Sequence, residues 1–174
     1  MYEVGDYIIY GQNGVCKVEE IGFMNFQGIP KEKLYYTLSP VYAKGSKLFT
    51  PTNNDRVIMR PIASAEKAWM LIDMIKDIET FDIIDEKQKE YVYKEALRTC
   101  DCREWIKIIK TVYLRRQSRI AENKKLAASD IKYLAIAEES LFGELALALK
   151  MKKEELEGIF IKKIEELDVT EKYR

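Results

Sequence analysis

The stretch that decides the fold is Val4-Gly5-Asp6-Tyr7-Ile8-Ile9-Tyr10-Gly11-Gln12-Asn13-Gly14-Val15-Cys16-Lys17-Val18. Residues 7–10 are β-branched or aromatic, which suits a pleated, half-buried strand. Asn13-Gly14 then supplies residues that tolerate positive φ, and an apolar run resumes at Val15. The stretch therefore predicts two short strands around a tight turn.

Strand signals continue to residue 60. The second strand continues to Ile21, and further strands are predicted at Leu34–Leu38, Lys47–Thr50 and Arg56–Arg60. Six of the eight glycines lie within the first 45 residues, between these runs. Short strands at close spacing, separated by turn residues, favour a small curled barrel of the SH3 or Tudor type over an open sheet.

The pattern becomes helical after Pro61. The residue before a proline is biased away from helix, and Ser64 can then cap a helix that begins after it. Four more helices are predicted at about residues 85–99, 102–121, 130–149 and 152–167, with Asp101 and Ser129 as candidate N-caps for two of them. The predicted class is α+β, with a small Tudor/SH3-like β-barrel in residues 1–60 and an all-α domain of about five helices in residues 61–174.

Composition narrows the classes of function. The chain has 29 basic and 29 acidic residues, so an electrostatic partner must be met by a local patch. Histidine is absent, which removes the usual general base and metal ligand together. The three cysteines are too few for a tetrahedral zinc site and indicate a reducing compartment. We expect no enzymatic activity, no cofactor and no small-molecule substrate.

The sequence shows no pattern typical of a targeting or membrane-spanning segment. The chain begins directly with a strand pattern and has no basic-then-apolar leader. No stretch approaches the roughly 18 uncharged apolar residues that span a bilayer. We therefore expect a cytoplasmic protein without a membrane partner.

The predicted helix 102–121 carries a basic cluster. Residues 103–125 contain eight basic and two acidic residues, an excess of six positive charges in a neutral protein. At about 100° per residue, Arg103, Lys107 and Lys110 form a stripe opposite an apolar face. Such a stripe suits contact with a phosphate backbone. The alternative is a solvated surface whose charges are balanced by acids on neighbouring helices.

Aromatic residues divide into two predicted groups. Trp69 and Trp105 fall on apolar helix faces and are predicted to be core. In the β module, four aromatics are more than a small barrel can bury on alternating faces, so some of them are candidates for a docking surface. These four are Tyr35, Tyr36, Tyr42 and Phe49.

An ordered set of motifs resembles a known family. In the β module it comprises Val4–Tyr10, Gly14-Val15, Glu20-Ile21, Lys33–Tyr36, Pro51 and Arg60–Ile62; in the helical half it comprises Tyr93–Arg98, Leu114–Arg116, Leu126–Asp130 and Gly143–Leu147. Together they resemble the bacterial CarD/CdnL family of transcription regulators, whose RNA polymerase-interacting module also occurs in transcription-repair coupling factors. The resemblance covers about residues 2–150 in the order of the family.

The resemblance implies a regulator of transcription. Its barrel would bind the RNA polymerase β subunit through an exposed strand. Its helical domain would contact promoter DNA near the −10 region, at the backbone and minor groove, with little sequence readout. The effect would be on the stability of the open promoter complex. The alternative function is a protein–protein adaptor with no DNA contact.

The sequence departs from the family at two places. Family members often carry a tryptophan wedge before the second helix, where this chain has Phe81 and Ile83 as smaller apolar candidates. The polymerase-facing strands of the family tend to present arginine. The roughly matching positions here are Met24 and Phe49, which implies a more apolar contact.

The resemblance and the basic cluster together define the predicted site residues. The predicted polymerase-binding residues are Met24, Phe26, Lys47, Phe49 and Pro51. The predicted DNA-binding residues are Phe81, Ile83, Lys87, Lys89, Arg103, Lys107, Lys110, Arg115, Arg116, Arg119, Lys124 and Lys125.

Overall fold

The computed structural model describes residues 1–172, with side chains described for residues 1–167. The chain forms two compact units, one spanning Met1–Ile62 and a second that begins at Ala63. The first is built on a five-stranded sheet and the second on five α-helices, so the predicted α+β class is confirmed.

The first unit is one antiparallel sheet. Its strands are β1 (Tyr7–Tyr10), β2 (Val15–Phe23), β3 (Leu34–Pro40), β4 (Leu48–Pro51) and β5 (Met59–Pro61). The strand order is β4-β3-β2-β1-β5, so among the described residues β4 and β5 lie at opposite ends and no pairing joins them. Closure into a Tudor/SH3-like barrel stays a prediction. The predicted fifth strand is shorter than expected and begins only at Met59.

The opening stretch forms the expected hairpin. Tyr7 pairs with Lys17 and Ile9 pairs with Val15, around a 3₁₀ turn at Gly11–Asn13. Gly11 has a φ of +50°, and a Cβ at this position would lie 2.7 Å from a side-chain carbon of Val57. Glycine is therefore required there for both conformation and space.

Alternation along the strands builds the core of the first unit. Successive side chains of a strand point to opposite faces, so Cys16 and Val18 on β2 share a face, as do Tyr36 and Leu38 on β3. These four residues and Ile8 form a fully buried cluster. Burial is not limited to this face, because Ile9 next to Ile8, and Tyr35 and Thr37 on β3, are buried as well.

The second unit consists of helices and one 3₁₀ turn. Its elements are α1 (Ala65–Asp73), the 3₁₀ turn Met74–Lys76, α2 (Lys89–Arg98), α3 (Cys102–Ala121), α4 (Ala128–Leu149) and α5 (Lys153–Lys172). Within the described part of the chain, none of these helices is long and apolar enough to cross a membrane.

Two of the three predicted helix caps are confirmed. The Ser64 side chain accepts a hydrogen bond from the Lys67 N–H (3.1 Å), and that of Asp101 accepts one from the Arg103 N–H (2.8 Å). The prediction for Ser129 is wrong, because α4 begins earlier and Ala127 is its N-cap residue.

Helix α2 begins later than predicted. The carboxylate of Asp85 accepts from the Lys87 N–H (2.9 Å), a local turn that competes with helix.

The two tryptophans have different environments. Trp105 on α3 is buried, as predicted. Trp69 is 46% exposed, so its prediction as core is wrong. Helix α1 buries the face of Ala68, Leu71 and Ile72, and Trp69 lies about 100° away from Ala68 around the helix.

Candidate functional site

A cavity of about 240 Å³, here called the aromatic groove, opens on the first unit. It contains four of the five predicted polymerase-binding residues. Its lining consists of Glu20, Gly22, Phe23, Met24, Asn25, Phe26, Thr37, Lys47 and Phe49. The three phenylalanines are exposed, and the rings of Phe26 and Phe49 lie 5.6 Å apart between centroids. Exposed aromatic side chains beside one another are typical of a surface that binds a partner.

Strand register explains how the groove forms. Glu20 on β2 pairs with Thr37 on β3, and Thr37 pairs with Phe49 on β4. Side chains directly across a ladder share a face, so these three positions form one row across the sheet. The row ends at β4, which is a terminal strand of the sheet. Terminal strands carry backbone N–H and C=O groups that can pair with another strand.

The structure modifies the predicted polymerase-facing set. Pro51 lies on β4 opposite Tyr35 and does not line the groove. Phe23 was not predicted, although it ends β2 and is exposed. The signal available in the sequence was its position three residues before Phe26, which was predicted to bind polymerase. Of the four aromatic docking candidates, Tyr35 and Tyr36 are buried, whereas Tyr42 and Phe49 are exposed.

On the second unit, α3 carries four basic side chains outside its buried stripe, here called the basic face, although Arg116 lies about 140° around the helix from Arg103. The basic face consists of Arg103 and Arg116, which are exposed, and of Lys107 and Arg119, which are half-buried. Lys107 makes an ion pair with Glu104 (2.8 Å). Lys87, Lys124 and Lys125 are also exposed, and Lys124 pairs with Glu122 at 3.1 Å. These positions are accessible to a phosphate.

Lys110 does not belong to this face. Its side chain is buried, and its ammonium donates to the backbone carbonyls of Ile75 (2.9 Å), Lys76 (3.0 Å) and Ile78 (2.6 Å). Carbonyl groups at the end of a helical segment lack internal donors and favour a cation. The prediction of Lys110 in a solvent-facing stripe is therefore wrong, because its charge stabilises the end of the 3₁₀ turn.

Lys89 and Arg115 are also engaged inside the protein. The buried Lys89 contacts Glu86 (2.7 Å) and Asp130 (3.1 Å). Arg115 pairs with the same two carboxylates, at 3.3 Å from Asp130. The hydroxyl of Tyr93 donates to Asp130 (3.0 Å). The prediction of Lys89 as a DNA contact is wrong because it is buried in this ion-pair cluster of Glu86, Lys89, Tyr93, Arg115 and Asp130.

These contacts shift the pKa values of Glu86 and Tyr93. Hydrogen bonds from Lys89 and Arg115 lower the pKa of Glu86 to about 2. Burial, followed by the nearby charge of Asp130, raises the pKa of Tyr93 above its ordinary value. Glu86 is thus held as an anion, and the hydroxyl of Tyr93 is held protonated as a donor.

The segment of residues 77–88, here called the connector, joins the 3₁₀ turn to α2. Phe81 and Ile83, the predicted wedge residues, are both half-buried. The N–H of Phe81 donates to the hydroxyl oxygen of Thr111 (2.9 Å), and the Lys107 ammonium lies 5.6 Å from the centroid of its ring. Ile84 instead is 89% exposed. The apolar side chain that the connector presents is therefore Ile84, which periodicity did not single out because the connector is irregular.

Phe81 and Ile83 line a second cavity, of about 250 Å³, here called the connector pocket. Its lining combines apolar and hydroxyl side chains, together with that of Arg115. The lining residues are Thr80, Phe81, Ile83, Thr111, Leu114, Arg115 and Ser118. Four of these lie on α3 at three- and four-residue steps, so they form one face of that helix.

Comparison with known families finds a match for the first unit. The family model of the CarD-like/TRCF RID domain matches residues 2–63. No curated protein matches the chain. The matched domain is a non-catalytic interaction module, and the match supports interaction with RNA polymerase and a role in transcription. Residues 2–63 of this chain are therefore similar to the CarD-like/TRCF RID domain.

Proposed function

We propose that this protein is a transcription regulator that binds the RNA polymerase β subunit and promoter DNA near the −10 region, and so modulates the stability of the open complex. The first unit binds polymerase, and the second contacts DNA. The observation that carries the proposal is the RID match over residues 2–63, within which four polymerase-facing candidates line one groove.

The polymerase contact uses β4 and the aromatic groove. A strand from the β subunit pairs with the free edge of β4 through main-chain hydrogen bonds. Alternate side chains of that strand face the sheet, and an apolar one packs against the paired rings of Phe26 and Phe49. Lys47, at the rim of the groove, favours an acidic neighbour on the partner strand.

The DNA contact uses the basic face of α3 and the connector. Arg103 and Arg116 bind phosphates, which positions the protein without reading sequence. Ile84 is the apolar side chain that inserts at a base step in the minor groove, in place of Phe81 and Ile83. A residue of this size unstacks a base step less than an aromatic wedge does.

Differential affinity accounts for the regulatory effect. A protein that binds the unwound junction more tightly than closed duplex shifts the equilibrium by that difference. Binding to polymerase raises the local concentration of the helical unit at the promoter, so a weak, salt-sensitive DNA contact is sufficient.

The polymerase contact is tested with a purified β-subunit lobe and the full chain. We expect Phe26→Glu with Phe49→Glu to weaken binding by at least tenfold, because two carboxylates enter an apolar interface. Val4→Glu is the control for one added carboxylate, since Val4 is exposed in the same unit and does not line the groove. Unchanged affinity of the double variant would contradict docking at the groove.

The DNA contact is tested by titrating fork-junction promoter DNA at two salt concentrations. Affinity should fall steeply with salt, and Arg103→Glu with Arg116→Glu should weaken binding and flatten the salt dependence. The control is Lys67→Glu with Lys152→Glu, which makes the same change of charge at exposed positions outside the basic face. An equal loss in both variants would indicate attraction by net charge alone.

The alternative function is a protein adaptor without DNA contact. It is favoured by Trp69 and Met70, two adjacent large apolar residues exposed on α1, which DNA contact at α3 does not explain. The same titration separates the two functions. A chain that binds the β lobe, but binds fork-junction DNA at neither salt concentration, is an adaptor.

A further inference from the structure

We infer that the connector pocket binds one unpaired nucleobase of the promoter strand. The inference rests on the proposed DNA contact and adds to it a specific subsite. Nothing in a contact with backbone phosphates alone requires a pocket of this kind.

The size of the pocket suits a single base. Its volume of about 250 Å³ lies just below the roughly 300 Å³ at which sites for drug-sized molecules begin. A planar group the size of one base fits such a volume, whereas an α-helix or a stacked base pair does not. The occupant is therefore a fragment-sized group rather than a folded partner.

The chemistry of the walls matches the two surfaces of a base. Phe81, Ile83 and Leu114 supply apolar surface, and an aromatic ring can stack on the π-face of any base. The hydroxyls of Thr80 and Ser118 can each donate and accept, as base edges require. Because Thr111 accepts from the Phe81 N–H, the aromatic wall has a defined position.

Positive charge flanks the pocket along α3. Lys107 lies one turn before Thr111, with its ammonium 5.6 Å from the Phe81 ring centroid. Arg119 lies one turn after Arg115 on the same helix. Arg115 itself is paired with Glu86 and Asp130, so it forms a wall of the pocket. Cations at both ends suit the two phosphates that flank an extruded nucleotide.

The pocket is held in place by both ends of the connector. At its beginning, Lys110 binds the carbonyls of residues 75, 76 and 78. At its end, Glu86 is bound by Lys89 and Arg115. A preformed site loses little entropy when a ligand binds. Ile84, next to Ile83 on the connector, is exposed where it can part a base step and so supply an unpaired base.

The experiment compares fork-junction DNA with the same DNA carrying one abasic position in the unpaired strand, scanned position by position. The full chain should bind the intact DNA about tenfold more tightly than the DNA that lacks the recognised base, because the abasic DNA loses one base contact. Ser118→Leu, which fills the pocket from an exposed position on α3, should abolish this difference. Ser140→Leu makes the same change on α4, away from the pocket, and should preserve it.

The outcomes separate the pocket from the proposed function. If DNA binds with the expected salt dependence but the intact and abasic forms bind equally at every position, the pocket assignment is wrong and the phosphate contact stands. If Ser118→Leu keeps the preference for the intact strand, the base is bound elsewhere and the assignment is again wrong. If no DNA binds at all, both the proposed DNA contact and this inference are refuted.

A free nucleotide offers the same base chemistry, so a second arm titrates nucleoside monophosphates without DNA. Recognition of a strand requires the flanking phosphates, so free nucleotides should bind at least a hundredfold more weakly than fork-junction DNA. Free nucleotides that bind as tightly as DNA, with a loss in Ser118→Leu, would overturn the promoter strand as the source.

Discussion

At the residue scale, the main finding is that several charged side chains are buried in the protein and do not face solvent. Lys89, Lys110 and Asp130 are buried, and each has oppositely charged or backbone partners within about 3 Å. A lysine in a charged helix is usually solvated, so sequence alone places such residues on the surface. Two of the predicted DNA contacts therefore have structural roles.

Lys110 provides a direct test of this distinction. We expect Lys110→Met to lower the free energy of unfolding by about 2 kcal/mol, because buried carbonyls lose their donor. The slope of DNA affinity against salt should stay as in the unchanged protein. Urea denaturation of the full chain measures the first quantity, and Lys76→Met, at an exposed neighbouring position, is the control. A reduced salt slope in Lys110→Met would show that this lysine reaches phosphate.

Glu86 makes stability depend on pH. Its pKa is lowered in the folded protein to about 2 from an ordinary value of 4.5. The ionised form is therefore favoured by folding, and its contribution is complete above pH 4.5 and lost as pH falls toward 2. We expect Glu86→Gln to destabilise at pH 7 by about 1 kcal/mol, a modest amount because 53% of the side chain is exposed.

Urea denaturation at several pH values should show the Glu86→Gln difference narrowing below pH 4.5. Glu90→Gln is the control, since Glu90 is exposed and pairs with Lys94 at 3.8 Å. A difference that stays constant from pH 7 to pH 3 would contradict the lowered pKa of Glu86.

At the scale of elements, side-chain caps account for the starts of two of the helices. Ser64 and Asp101 start α1 and α3 through side-chain hydrogen bonds. The residue that ends α4 has a strained backbone, because Lys150 adopts the left-handed conformation with a φ of 54°. This conformation is usually taken by glycine, since a Cβ is strained there.

Replacement of Lys150 should therefore stabilise the protein. We expect Lys150→Gly to raise the free energy of unfolding by about 0.5–1 kcal/mol, because the strained left-handed residue at the helix end is relieved. Lys150→Ala removes the same charge and keeps the strain, so it should give no gain. Thermal unfolding of the three proteins measures the effect. Equal gains in both variants would assign it to charge.

At the scale of the whole molecule, the proposed function divides between two units. Phe26→Glu with Phe49→Glu should weaken binding to the polymerase lobe without changing affinity for free DNA. Arg103→Glu with Arg116→Glu should do the opposite. In the proposed mechanism the effect on the open complex requires both contacts at once, so either pair should remove it, and all four changes together should have no larger effect.

Lifetimes of open complexes, measured after challenge with a competitor, test this division. The control carries Val4→Glu and Lys67→Glu, one exposed change in each unit outside the proposed sites. Effects of the two pairs that simply add would contradict a mechanism in which polymerase binding delivers the helical unit to DNA.

Much of the fold was predictable because local signals agree with the final structure. The hairpin at Tyr7–Val18, the caps at Ser64 and Asp101, and the span of α3 follow from turn chemistry and periodicity, which depend on neighbouring residues alone. The predictions for Ser129 and Trp69 are wrong, because α4 begins at Ala128 and because the buried face of α1 is formed by Ala68, Leu71 and Ile72.

The sequence by itself determined the α+β class, the helical spacing of the core and the CarD-like resemblance of residues 2–63. Only the tertiary structure decided which charges face solvent, that Ile84 is exposed while Phe81 and Ile83 line a pocket, and that Phe23 joins the aromatic groove. The reason is physical. Periodicity is a property of one element, whereas burial of a lysine depends on carbonyls and carboxylates that the fold brings from 30 or more residues away.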